Sequence, residues 1–205
     1  MQFQYYMIRI LRKFIFFSSV KSSVIDKTSK IGLNNQIFHC NINRYTYTGE
    51  NCNIIEAEIG SFCSIASNCI IGGAAHPVDW VSTSPVFHKG RNVLNKNFSD
   101  NAFEPYQKTI IKNDVWIGSN SLVKAGVTIE NGAVIGMGSV VTKNIPPYEI
   151  WAGNPARFIR KRFDDETINA LISLKWWEWD NNKLSEYAKY SNVVNEFIKN
   201  AEGTK

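Results

Sequence analysis

A histidine stands where a regular pattern breaks. The stretch "IGGAAHPVDWVSTSPVF", residues 71–87, opens like its neighbours with an aliphatic residue and a glycine, then loses their rhythm at His76. A neutral imidazole, with a reference pKa of about 6.5, can accept the proton of a hydroxyl as that hydroxyl attacks an acyl carbonyl. The chain has three histidines, and neither His39 nor His88 shares this placement at the mouth of a loop. Taken alone, His76 is better explained as a histidine that hydrogen-bonds its own loop. A second cluster, "GNPARFIRKR", brings Arg157, Arg160, Lys161 and Arg162 together as partners for an anionic group or as a solvated basic turn.

The elements that would hold these residues are legible as a repeat. From Ile111 the chain reads in sixes, "IKNDVW", "IGSNSL", "VKAGVT", "IENGAV", "IGMGSV", "VTKNIP", led by Ile111, Ile117, Val123, Ile129, Ile135 and Val141. Their fifth positions are mostly small: Val115, Ser121, Val127, Ala133, Ser139 and Ile145. A period of six matches neither an amphipathic helix nor a half-buried strand. It predicts a parallel β-helix in which each hexapeptide supplies one short strand and one turn, the aliphatic residue pointing inward. Gly118 and Gly136, after a leading residue, suit a tight corner. The rhythm recurs upstream with Ile59, Ile65 and Ile71 leading and Cys63, Cys69 and Ala75 in the small column. Ile31 and Ile37 form an earlier pair, and the spacing after them predicts an insertion around "RYTYTGENCN". The interval from Ile71 to Ile111 is no multiple of six, which predicts a loop over 73–108. The fold class is therefore an all-β solenoid with three parts: an arm over 1–30, the β-helix over 31–160, and a helical extension over 161–205. The extension should hold a helix capped by Asp164 or Asp165 with Ile168, Leu171, Ile172 and Leu174 on its apolar face, and a second helix over about 184–199. These helices are expected to cover the open end of the solenoid.

Composition bounds the partners. The net charge is +5, and residues 1–30 hold six of the 23 Lys and Arg but one of the 18 Asp and Glu, so the remainder carries 17 of each sign. That balance argues against a nucleic-acid-binding face over the body of the fold. The arm "FQYYMIRILRKFIFF" mixes aromatics with cations. Packing on the end of the core is the favoured reading for it, and peripheral membrane contact through residues 1–20 is the other. No stretch reads as a membrane span or a cleavable leader, so the expected location is the cytoplasm, at the inner membrane face if the arm docks there. Cys40, Cys52, Cys63 and Cys69 show no zinc spacing and are read as buried thiols, so no metal is expected.

These residues also carry a resemblance. "YTYTGENCNIIEAEIGSFCSIASNCIIGGAAHPVDWVSTSPVF", then "NDVWIGSNSLVKAGVTIENGAVIGMGSVVTKNIPPYEIWAGNPARFIRKRF" and the helical "LKWWEWD", resemble the hexapeptide-repeat acyltransferases, within them the xenobiotic acetyltransferase branch, over about residues 31–180. The resemblance implies a left-handed parallel β-helix, an exception to the usual right-handed crossover. It implies a homotrimer with active sites between subunits and acetyl-CoA as co-substrate. The family's catalytic histidine falls on His76, in "GGAAHPVDW" where relatives often have "GGNHRTDW", and the change at Ala75 bears on acceptor contacts. Asp79, Trp80, Tyr45 and Tyr47 are implied to line the acceptor pocket. Ser119, Met137, Thr142 and Lys143 match positions that touch CoA, largely through backbone, and Arg157 and Arg160 would meet its phosphates. Trp116 has two readings, against the histidine or the pantetheine, or as an outward aromatic between subunits. Trp176, Trp177 and Trp179 should anchor the C-terminal helix.

The mechanism so implied is direct acyl transfer, with His76 as general base and a backbone N–H stabilising the oxyanion. The leading acceptor is a hydroxyl of a sugar or surface polysaccharide. The alternatives are an antibiotic of chloramphenicol or streptogramin type, and the amine of a nucleotide-linked sugar. A zinc-dependent solenoid would need several converging histidines, which three in the chain do not supply. A purely structural or ligand-binding solenoid explains the repeat but neither the His76 loop nor "GNPAR".

Overall fold

The computed structural model describes residues 17–203, together with Met7, Leu11 and Ile15. Of residues 1–16 only Met7, Leu11 and Ile15 are described, so most of the stretch read for membrane contact, 1–20, lies outside the described residues. Among the described residues no helix is long and apolar enough to cross a membrane.

Short strands stack into three sheets that form the walls of a prism. The first sheet runs Ser19–Lys21, Gln36–Phe38, Asn53–Ile55, Ile70–Gly72, Leu122–Val123 and Val140–Val141; the second Val24–Ile25, Asn41–Ile42, Ala57–Ile59, Thr109–Ile111 and Thr128–Ile129. The third runs Lys30–Ile31, Tyr47–Thr48, Ser64–Ile65, Trp116–Ile117, Val134–Ile135, Glu149–Ala152 and Arg157–Lys161. Every pairing is parallel except the last. Each coil hydrogen-bonds to the next at equivalent positions, so like residues pile on like. Ile37, Ile54, Ile71, Val123 and Val141 form one inward column, Ile42, Ile59, Ile111 and Ile129 a second, and Ile65, Ile117 and Ile135 a third, all buried. Burying each such side chain contributes about 1.5–3 kcal/mol. Cys63, Cys69, Val115, Ser121, Val127, Ala133 and Ser139 are buried beside them, so the small column is real there, whereas Ile145 pairs with Ile129 and extends the second aliphatic column because the turn before it is shortened. All four cysteines are free and buried.

The N-terminal coils differ from the expectation in an informative way. "RYTYTGENCN" is regular coil, with no insertion. Ile37 pairs with Ile54 and Ile54 with Ile71, a repeat of 17 residues, whereas Ile111 pairs with Ile129 at 18. One residue is missing from each early turn between the first and second sheets, and Thr48 occupies an aliphatic position, which together hide the period. Thr48 is buried because its hydroxyl accepts a hydrogen bond from the amide of the buried Asn35 at 2.6 Å, while Asn35 Oδ1 accepts from the Cys52 N–H at 2.7 Å. The solenoid also begins earlier than Ile31, at Ser19. Ala75 is only half-buried and not in the small column: Thr109 stands opposite Ala57, because there the chain re-enters the coil after the loop.

At the C-terminal end the strand Arg157–Lys161 pairs antiparallel with Glu149–Ala152 and occupies the last edge of the third sheet. Three helices follow: α1 (Asp165–Leu174), α2 (Asn181–Tyr187) and α3 (Val194–Glu202). Asp164 is the cap of α1, accepting from the Thr167 N–H at 2.8 Å. The single helix expected over 184–199 is two, interrupted at 188–193, where the Ser191 hydroxyl donates to the Ala188 carbonyl and competes with helix continuation. The helices do not close the open end. They lie along the corner between the second and third sheets, where Trp176 packs 5.0 Å from Phe62, the Arg44 guanidinium donates to the Trp177 and Trp179 carbonyls, and Tyr148 packs with Ile168 and Leu171.

Ile117→Ala, which empties part of the core, is expected to destabilise the fold by about 2–5 kcal/mol. Thr48→Val, which leaves the Asn35 amide short of a partner, should cost about 1–3 kcal/mol despite its apolar gain. Chemical denaturation of both variants against the parent measures the two values.

Candidate active site

The corner between the first and second sheets changes character along the prism. In the early coils it is a tight turn in which His39 (φ 53°) and Glu56 (φ 51°) hold left-handed backbone, and His39 Nδ1 lies 2.6 Å from the Glu56 carboxylate. In the next coil it is one residue wider, through 124–127, and it tightens again at 142–144, where Ile145 pairs with Ile129. The loop leaves between the two, at the same corner. Gly72 (φ 76°) makes the exit possible, since a Cβ there would run into the Ile55 carbonyl oxygen. The legs of the loop are tied together: the Ala75 N–H donates to the Pro105 carbonyl at 2.6 Å, and Ala74 bridges Tyr106. Farther out the loop carries its own packing, with Val86 and His88 buried, His88 5.5 Å from Phe103, and Phe103 5.8 Å from Trp80 edge-on. His88 is thus a packing residue.

His76 is exposed, and its Nδ1 lies 2.8 Å from the Thr83 carbonyl oxygen. A carbonyl only accepts, so Nδ1 carries the proton and the lone pair of the neutral ring resides on Nε2. The loop therefore sets both the orientation and the tautomer. The ring stands between two clefts. One, of about 570 Å³, opens toward the late coils and is lined by Gly73, His76, Asp79, Trp80, Gln107 and Lys124 among others. The other, of about 880 Å³, opens toward the early coils and includes Lys21, Phe38, His76, Arg91 and Tyr106.

The structure brings His76, Asp79 and Trp80 together in the first cleft. Thr142 and Lys143 lie at the same corner one coil beyond Lys124, because Val123 pairs with Val141. Ser119 and Met137 occupy the neighbouring corner between the third and first sheets, stacked so that the Gly138 N–H donates to the Ser119 carbonyl; Met137 is 79% exposed. Arg157 and Arg160 lie on the terminal strand of the third sheet, and Arg160 lines a hollow with Trp116, not the cleft at His76. Trp116 projects outward from that sheet, 55% exposed. Tyr45 and Tyr47 are not brought beside His76 within the chain. Tyr45 stacks on Phe62 and donates to Asn181 Oδ1 at 2.8 Å, which makes it an anchor for the helices, and Tyr47 is exposed on the outer face of the third sheet. Thr83, Gln107, Lys124, Lys21 and Arg91 escaped the sequence reading. Lys124 had a signal, since it directly follows the leading residue Val123 at the corner where the loop exits. Among the described residues no group of His, Cys, Asp or Glu is arranged to hold a metal ion. Burial pushes the Cys63 thiol up to about 12 and that of Cys40 upward, so neither is primed as a nucleophile.

Comparison with known proteins bears on this arrangement. The model of the bacterial transferase hexapeptide family (six repeats) matches residues 108–143, the late coils. A probable macrolide acetyltransferase of Lysinibacillus sphaericus is 41% identical over 130 residues, covering 62% of this chain and 71% of that protein. The chain belongs to the hexapeptide-repeat transferases. A second such relative, a chloramphenicol acetyltransferase of Agrobacterium fabrum (strain C58 / ATCC 33970), is 45% identical over 129 residues; the match covers 62% of this chain and 61% of the relative's length. The crystal structure of a maltose O-acetyltransferase from Clostridium difficile 630 superposes with a TM-score of 0.53 at 30% identity, over 70% of this chain and 71% of that one. The prism is thus the left-handed parallel β-helix of the hexapeptide-repeat transferases.

Gly72→Val forces a side chain into left-handed backbone and against Ile55, and is expected to displace the loop while leaving the coils intact. Limited proteolysis should then cut within 73–108 at least about tenfold faster, at a stability cost of about 1–3 kcal/mol.

Proposed function

We propose that the chain is an acetyl-CoA-dependent O-acetyltransferase with His76 as general base. The observation that carries this reading is the Nδ1 contact with the Thr83 carbonyl, which leaves Nε2 basic on an exposed ring between two clefts. The acceptor hydroxyl loses its proton to Nε2 as its oxygen attacks the thioester carbonyl. Collapse of the tetrahedral intermediate breaks the C–S bond, and the imidazolium returns the proton to the CoA thiolate. A backbone N–H stabilises the intermediate's oxyanion. With the four cysteines buried, the step is direct, without a covalent enzyme intermediate.

The donor enters the cleft toward the late coils, its acetyl end beside His76 and its arm running past Lys124 to Thr142 and Lys143 along the corner. Asp79 and Trp80 then border the donor cleft and not the acceptor pocket. Ser119 and Met137 face a different corner, and Arg157 and Arg160 a third region. These residues meet one CoA molecule if the active site lies between two subunits of a homotrimer, a neighbour's corner facing the donor cleft. Exposed apolar side chains on the outer sheet faces, Ile70 and Leu122 on one and Tyr47 and Trp116 on another, supply surface for such packing.

The acceptor is a sugar hydroxyl in this reading, in line with the likeness to a maltose O-acetyltransferase. A second reading, a hydroxyl of an antibiotic, is favoured by the chloramphenicol and macrolide acetyltransferases among the relatives. Resistance conferred on a sensitive host would decide for the second.

His76→Ala should lower acetyl transfer by about 10²–10⁴-fold with CoA binding retained. Steady-state kinetics paired with calorimetric titration of CoA measure both, and wild-type turnover in the variant would rule out the assignment.

A further inference from the structure

The cleft toward the early coils has a composition that neither acceptor reading uses. It is the larger of the two that meet at His76, about 880 Å³ against 570 Å³. Its wall carries two cations, Lys21 and Arg91, and no carboxylate, whereas the cleft toward the late coils includes Asp79. Among the described residues neither Lys21 nor Arg91 forms an ion pair. The Lys21 ammonium rests 5.2 Å over the Phe38 ring, which leaves its charge directed along an aromatic wall. Glu56 is paired with His39, and Glu104, next to the cleft-lining Pro105, accepts from the Tyr106 N–H at 3.1 Å. The Phe38 ring is stacked by His39, and the exposed Tyr106 offers flat apolar surface of the kind that suits a sugar face or an aromatic base.

We infer that this cleft selects an acceptor that carries an anionic group, a phosphate or a carboxylate, beside the hydroxyl to be acetylated. The inference rests on the reading of His76 as the base that both clefts share. Lys21 comes from the first strand of the solenoid and Arg91 from the loop, and both line the cleft. An anion held by these cations would keep the rest of the acceptor in the cleft whose wall contains His76. Cations concentrated in a concave site with no opposing carboxylate focus the field on an entering anion. Neutral antibiotics would gain nothing from this pair, so the cleft distinguishes this chain's acceptor from chloramphenicol.

The test is equilibrium binding to the full-length chain with CoA present, so that it does not depend on turnover. Glucose 1-phosphate, glucuronic acid, glucose and chloramphenicol serve as probes. At least one of the two anions should bind about tenfold more tightly than glucose, and which one does so separates phosphate from carboxylate. Lys21→Gln and Arg91→Gln should each weaken that anion about three- to fivefold, and raising the salt from about 50 to about 300 mM should erode the preference. The inference is overturned if glucose or chloramphenicol binds as tightly as both anions, if neither anion binds measurably, or if both Gln variants, folded by circular dichroism, bind the anion like the parent. The His76→Ala kinetics judge the underlying enzymatic reading separately, because they compare turnover and not acceptor charge.

Discussion

The constraint on which everything else depends is vertical register. Each short strand is stabilised only by the strands directly above and below it, so every coil must place its inward residue over that of the previous coil. A single residue gained or lost has to be absorbed at a corner, because absorbing it within a strand would turn the aliphatic column outward. The molecule absorbs such a change at one corner alone, between the first and second sheets. There the early turns are one residue shorter than the turn of 124–127, the turn before Ile145 is shorter still, and the loop of residues 73–108 leaves and returns.

The same corner gathers the chemistry. A stiff scaffold fixes Gly72 in the first sheet and Thr109 in the second, the ties between 74–75 and 105–106 close the neck of the loop, and the Thr83 carbonyl holds the imidazole. Few of these contacts are strong individually. Their effect is cumulative: a side chain on a loop acquires the positional definition of one on a sheet, which the proposed general base would require.

How much of this was legible in the sequence follows from the same physics. The late coils announce themselves because each leading position from Ile111 to Val141 is Ile or Val and successive coils there are 18 residues apart. The early coils do not, since Thr48, Asn35 and Thr46 fill interior positions with hydrogen-bonded polar groups and the period shifts to 17. His76 was legible as a break in rhythm. Its anchor at Thr83 was not, because it depends on how the loop folds back. Tyr45 was drawn to the acceptor by analogy, yet its ring is committed to Phe62 and the helical extension, a contact between residues far apart in the chain. Lys21 and Arg91 lie on separate segments whose approach no local pattern encodes. The break that divides the expected long helix depends on one hydroxyl, that of Ser191, satisfying a carbonyl that the next helical turn would have used.

The change of coil length at the loop has a consequence for how such a molecule tolerates change. Because 17-residue coils end and an 18-residue spacing begins on either side of the excursion, its neck is a seam between two stacks. Segments of different size and chemistry can be spliced in at that seam without re-indexing a single inward side chain. One spindle can in this way be re-equipped at this corner while the rest of its walls is left as it was.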